Sequence, residues 1–64
     1  MNYNFKLKEQ IKRKGFSQRQ FAVKVGINEA YLSQIINGRV NPTPNEKTII
    51  SQTLKTPIKV LFDD

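Results

Sequence analysis

The 64-residue sequence contains no cysteine and no histidine, and these two absences exclude several classes of protein. Without cysteine the chain forms no disulfide, and without either residue carboxylates are its only charged metal ligands. The commonest general base and the best thiol nucleophile are also missing. Of the five acids, only Asp63 and Asp64 are close in sequence, which argues against a catalytic carboxylate pair. We therefore expect no enzyme, cofactor, metal or small-molecule substrate.

Long apolar runs are absent too, since apolar residues come in short groups such as Ile35–Ile36 and Ile49–Ile50. No stretch fits a transmembrane span or the apolar core of a signal peptide. Together with the lack of disulfides, this predicts a cytoplasmic protein with no membrane partner. The length predicts one domain, residues 1–64, which buries only about 60% of its unfolded surface and depends on packed apolar side chains.

Basic residues are plentiful, because 11 lysines and arginines face 5 acids and the formal net charge is +6. A charge of this size in a small chain favours polyanions as partners, either nucleic acid or an anionic membrane surface. A membrane-surface peptide needs one broad apolar face, whereas the apolar residues here are distributed along the chain.

Apolar spacing and capping residues predict an all-α fold of five short helices. The first runs from about Asn4 to Lys14, with Leu7 and Ile11 on one face. Gly15 is its expected C-cap.

The second helix begins at Ser17, which forms the S-x-x-Q pattern of a capping box with Gln20. Phe16 and Phe21 flank this box as a hydrophobic staple, and Gly26 ends the helix.

Three more helices follow, with shorter signals. Asn28 is an N-cap for the third helix, which closes at Asn37–Gly38. Thr43–Glu46 is a second capping box with proline at the first helical position, and Thr56–Pro57 repeats the cap-then-proline signal. The apolar positions of these helices are Leu32, Ile35 and Ile36, then Ile49, Ile50 and Leu54, and last Ile58, Val60, Leu61 and Phe62. For Val60 and Phe62 the sequence leaves both the core and a dimer surface open.

Residues 17–38 form a helix, a three-residue turn and a second helix, which such a turn joins at about 90–120°. Apolar side chains close inside this angle, and small Ala22 lets the helices approach closely. The opposite face of the second of these helices then projects as a ridge that fits the major groove of DNA.

The segment GFSQRQFAVKVGINEAYLSQIINGRVNP resembles the helix-turn-helix of the phage repressor and Cro type, the lambda-repressor-like family. The shared positions are Gly15, Phe16, Ser17–Gln18, Phe21–Ala22, Val25–Gly26, Leu32–Ser33, Ile35 and Asn37–Gly38, and the resemblance extends from Leu7 to about Phe62. It implies a helix-turn-helix unit at about 17–37 and a recognition helix at about 28–37. It also implies a phage or prokaryotic transcriptional regulator, a repressor or Cro-like protein, bound to double-stranded DNA as a homodimer.

The resemblance also implies roles for individual positions. The positions that face base edges are Asn28, Glu29, Ala30, Ser33 and Gln34. The positions expected at the DNA backbone are Gln18, Arg19, Tyr31, Asn37 and Arg39. Side-chain chemistry agrees, since glutamine pairs with adenine, glutamate accepts from cytosine and alanine touches the thymine methyl.

Several of these positions have an ordinary structural alternative. Glu29 also suits a helix N-terminus through the dipole, and Ser33 also suits a site that needs a small side chain. Arg19 and the lysines of the first helix also suit a solvated surface. Tyr31 also suits a half-exposed packing position.

One departure from the family is informative. Many members carry an arginine in the first helix that pairs with a glutamate near the end of the recognition helix, whereas this chain has Ile11 and Ile36 there. Replacing both partners of a buried ion pair with apolar residues is often neutral or stabilising, whereas removing one is costly. We therefore predict that Ile11 and Ile36 touch.

A protein-binding adaptor that reuses the fold, such as an antirepressor or an antitoxin, is the alternative function. The net charge and the polar residues 28–34 argue against it, and an exposed apolar groove would argue for it.

Overall fold

Five α-helices build the fold in the computed structural model, which describes residues 3–62. They are α1 Phe5–Arg13, α2 Gln18–Val25, α3 Glu29–Ile36, α4 Pro44–Leu54 and α5 Ile58–Phe62. No strand occurs among residues 3–62, so the expected all-α fold of five short helices is confirmed. Asp63 and Asp64 lie outside the described residues.

The two predicted capping boxes are both present. At α2, the Ser17 hydroxyl accepts from the Gln20 amide at 3.0 Å, and the Gln20 side chain accepts from the Ser17 amide at 2.9 Å. At α4, the corresponding distances between Thr43 and Glu46 are 3.1 and 2.8 Å. An N-cap side chain typically contributes about 1 kcal/mol, so these local bonds define where the two helices begin.

The turn between α2 and α3 depends on Gly26, which caps α2 in the left-handed region at φ +80°. A β-carbon there would meet no atom within 4 Å, so the position needs glycine for its backbone conformation and not for space. Before α2, the rings of Phe16 and Phe21 pack edge to face with centroids 5.5 Å apart, as the predicted staple requires. The C-cap of α1 is Lys14 instead of the expected Gly15, which follows it at φ +84°.

All five helices contribute to one hydrophobic core. Its buried members are Leu7, Ile11, Phe21, Ala22, Leu32, Ile35, Ile36, Ile50, Leu54, Leu61 and Phe62. Ile11 and Ile36 are 2% and 3% exposed, and both line one small cavity between α1, α2 and α3. The structure therefore places both side chains at the same cavity, and their direct contact stays a prediction.

Two of the apolar helix positions identified from the sequence, Ile49 and Val60, do not join the core. On α4, Ile49 is 38% exposed, because Ile50 and Leu54 form the inward face at i, i+4 spacing and Ile49 lies beside it. On α5, Val60 is 47% exposed and Phe62 only 9%, so Phe62 belongs to the core while Val60 lies at the surface. Of the three apolar positions of the fourth helix, only Ile50 and Leu54 are therefore buried.

The helices of the described segment are short. None of them has the length and apolar character needed to cross a membrane.

Candidate nucleic-acid interface

The N-terminus of α3 is defined by Asn28, whose side-chain oxygen accepts from the Ala30 amide at 2.7 Å. This bond confirms the predicted N-cap and uses the side-chain oxygen of Asn28 as an acceptor. The amide N–H groups of the same side chain can donate to a base edge. Asn28 itself is exposed, in the turn between α2 and α3.

The outer and inner faces of α3 differ in character. Leu32, Ile35 and Ile36 lie in the core. The five positions expected to read bases are accessible, with Ser33 half-buried and the other four exposed: Asn28, Glu29, Ala30 and Gln34. The helix therefore presents a face of small, polar and acidic side chains to solvent.

Four of the residues expected at the DNA backbone border this face. Gln18, at the first turn of α2, lines the same cavity as Ile36, so it lies beside the C-terminal end of α3. Arg19 follows it and is exposed. Asn37 is the C-cap of α3, and Arg39 is exposed two residues later. The structure thus places cationic and hydrogen-bonding groups around the C-terminal end of the outer face.

Tyr31 is placed differently from the other residues expected at the DNA backbone. Its ring is half-buried against the core, and its hydroxyl donates to Oε1 of Glu46 at 2.8 Å. This hydrogen bond raises the pKa of Tyr31 above its usual value. The pKa of Glu46 is lowered, first by the Thr43 backbone N–H and then by the Tyr31 hydroxyl. The hydroxyl proton of Tyr31 is therefore held by a carboxylate on α4.

The C-terminal carbonyls of α3 are satisfied by a residue that sequence reasoning assigned to another helix. Asn4 donates through its side-chain nitrogen to the Ile35 carbonyl at 2.6 Å and through its backbone N–H to the Ile36 carbonyl at 2.7 Å. The Asn4 side chain makes no capping bond to its own helix. Asn4 therefore ties the start of α1 to the end of α3, and no local pattern marks it for that role.

The basic residues lie outside α3 in the sequence. Residues 29–36 contain no lysine or arginine, and Glu29 is their charged member. Four of the eleven basic residues lie in α1 and a fifth, Lys14, caps it, all of them exposed. Most of the basic residues therefore lie in α1, its cap and α2.

Comparisons with known proteins agree with this geometry. Residues 7–61 match the family described as helix-turn-helix. Over 53 residues the chain is 42% identical to the HTH-type transcriptional regulator SlrR of Bacillus subtilis strain 168. That match covers 81% of this chain and 35% of the relative, so the chain spans little more than a third of the relative's length. No solved structure matches the chain significantly.

Proposed function

The chain belongs to the helix-turn-helix family, and on that premise we propose that it binds specific sequences of double-stranded DNA and regulates transcription. The observation that carries this proposal is the division of α3 into a buried apolar face and an accessible polar one. A helix about 10–12 Å across, with such a face exposed, fits the major groove. The polar face also argues against the alternative of an adaptor that binds another protein.

The accessible residues of α3 suit base edges in different ways. Gln34 offers the paired donor and acceptor that adenine takes, and Ala30 offers a methyl group to thymine. Glu29 accepts from the cytosine amino group, and Ser33 suits several bases. Asn28 contributes its amide N–H groups. We assign base contacts to these five residues.

Phosphate contacts are assigned to the residues that border the C-terminal end of this face. Gln18 and Arg19 lie at the N-terminus of α2, where backbone N–H groups and the helix dipole also favour an anion. Asn37 and Arg39 flank the C-terminal end of α3. Tyr31, the fifth residue expected at the backbone, would have to exchange its bond to Glu46 for one to phosphate.

A repressor-like role on DNA as a homodimer is the form of regulation we propose. A single chain of this size reaches one half-site, and a two-fold pair places its recognition helices about 34–36 Å apart on one side of the duplex. The named regulator among the relatives supports a role in transcription. A DNA partner in a prokaryotic cell places the protein in the cytoplasm.

Selection of bound sites from a random duplex pool tests the proposal. The expected result is a defined motif, which is palindromic if a dimer binds. A plot of log affinity against log salt concentration should have a slope of about −0.9 for each phosphate contact. A salt slope near zero for every duplex would contradict DNA binding.

Two substitutions then test the placement of the recognition helix. Gln34→Ala should relax the base preference and leave the salt slope nearly unchanged, whereas Arg39→Ala should weaken all duplexes alike and lower the slope by roughly one. Lys59→Ala is the matched control, because α5 packs mainly against α1 and α4. If Gln34→Ala and Arg39→Ala both leave binding intact, the assigned surface is wrong.

A further inference from the structure

The hydrogen bond between Tyr31 and Glu46 connects the proposed recognition helix to α4. We propose that Glu46 is a positioning residue for DNA recognition, which holds α3 through the Tyr31 hydroxyl at the angle that base contacts require. This inference rests on the proposed function. It adds a residue outside the helix-turn-helix that acts on specificity without touching DNA.

The carboxylate of Glu46 is well suited to hold another group because its own position is already determined. It is the third helical residue of α4, and its backbone N–H donates to the Thr43 hydroxyl. Its Oε1 accepts from the Thr43 backbone N–H at 2.8 Å and from the Tyr31 hydroxyl at the same distance. One oxygen thus joins the capping box of α4 to the side of α3.

The remaining restraints on α3 come from the core and from α1 and α2. Its three buried side chains face the core, and its closest packing partners are α2 and α1. Asn4 holds its C-terminal carbonyls from the start of α1. On the side facing α4, the half-buried Tyr31 ring and its hydroxyl bond oppose a tilt of the helix.

A small tilt is enough to matter for base contacts. An eight-residue helix is about 12 Å long, so a tilt of about 10° moves one end by roughly 2 Å. Binding constellations need to be held within about 0.5 Å and 10–20° of their productive geometry. Contacts to phosphates by long flexible cations tolerate such a movement better. Loss of the Tyr31 bond is therefore expected to reduce discrimination between sequences more than binding to DNA in general.

A direct phosphate contact by Tyr31 makes the opposite prediction. Removal of its hydroxyl would then weaken every duplex and lower the salt slope, whatever residue stands at position 46. The two mechanisms are separated by a double-mutant cycle with two probes. The probes are the duplex selected by the unaltered chain and a mixed-sequence duplex of equal length.

We expect Tyr31→Phe to weaken binding to the selected duplex by about 3- to 10-fold, within the range for residues in contact. Binding to the mixed-sequence duplex and the salt slope should stay unchanged. Glu46→Ala should cause a similar loss of selectivity. In a chain that already carries Glu46→Ala, Tyr31→Phe should weaken binding to the selected duplex by less than about 2-fold more. Glu46→Gln keeps an acceptor oxygen and the capping pattern, so it should retain the selectivity. Glu9→Gln on α1 controls for the lost negative charge.

Equal losses on both duplexes, or losses by Tyr31→Phe that do not depend on residue 46, would overturn the inference and leave DNA binding standing. A Glu46→Gln variant as unselective as Glu46→Ala would overturn it as well. If Glu46→Ala does not fold, the comparison of the two duplexes with Tyr31→Phe decides the question. Absence of salt-dependent binding by the unaltered chain would instead overturn the proposed function, and the inference with it.

Discussion

The apolar pair Ile11 and Ile36 offers a sharp test of the packing between α1 and α3. Relatives of the repressor and Cro type often carry an arginine and a glutamate at these positions. Ile36→Glu alone would place a carboxylate where the side chain is 3% exposed, at a cavity that it shares with Ile11, which is 2% exposed. An uncompensated buried charge of this kind costs about 3–5 kcal/mol.

That cost is large for this chain. At about 0.05–0.15 kcal/mol per residue, a domain of this size has roughly 3–10 kcal/mol of unfolding free energy. Ile36→Glu should therefore lose about a third of the stability or more. Adding Ile11→Arg should recover part of it, since an apolar pair is typically neutral to about 4 kcal/mol more stable than the ion pair it replaces. The double variant should thus be more stable than Ile36→Glu, despite carrying one more core substitution.

Urea unfolding followed by far-ultraviolet circular dichroism measures these differences. If Ile36→Glu is unfolded, a double-mutant cycle with valine variants provides a less disruptive test. Ile11→Val and Ile36→Val should each cost about 0.5–1.5 kcal/mol. Sites more than 7–10 Å apart add within about 0.5 kcal/mol, whereas side chains in contact depart from additivity. The contact would be refuted if the charged double variant lost as much unfolding free energy as Ile36→Glu and Ile11→Arg lose when their separate losses are added.

Three further predictions concern single sites. Asn4→Ala should lower the unfolding free energy by about 1 kcal/mol in the same assay, because the Ile35 carbonyl loses a donor; an unchanged value would contradict the role of Asn4. Lys55→Gly should raise it by about 0.5–1 kcal/mol, because Lys55 caps α4 at φ +53°; Lys55→Ala, which keeps the β-carbon, should have little effect. The pKa of Glu46 is lowered by folding, so its contribution is present above its unfolded value of about 4.3 and is lost as pH falls through the folded value. Glu46→Gln should flatten stability against pH in that acid range, and the same slope as in the unaltered chain would argue against the lowered pKa.

The parts of the fold that the sequence predicts correctly are those with local causes. The capping boxes at Ser17 and Thr43 involve partners three residues away. Gly26 ends its helix through its own backbone conformation, and the Phe16–Phe21 staple spans five residues. Such features depend on neighbours along the chain, so their residue types are sufficient to identify them.

The features that were missed depend on partners far along the chain. Asn4 and the Ile35 carbonyl are 31 residues apart, and Tyr31 and Glu46 are 15 apart. Asparagine before a helix usually caps that helix, and Glu46 was already explained by its capping box, so neither residue indicated a second partner. The exposure of Ile49 has the same origin, because only the packing of α4 shows which apolar residue faces inward.

The distribution of charge indicates which residues of the proposed interface attract DNA in general and which distinguish one sequence from another. The segment that would read bases, residues 29–36, carries one acid and no cation, whereas α1 and its cap carry five exposed cations. Phosphate neutralisation dominates the salt dependence of DNA binding, and base contacts add little to it. For the proposed interface we therefore expect the salt slope to depend on residues outside α3, and discrimination between sequences to depend on α3 and on the residues that hold it in place. Substitutions that tilt α3 should change which DNA is bound, because they leave the cations that attract any DNA where they are.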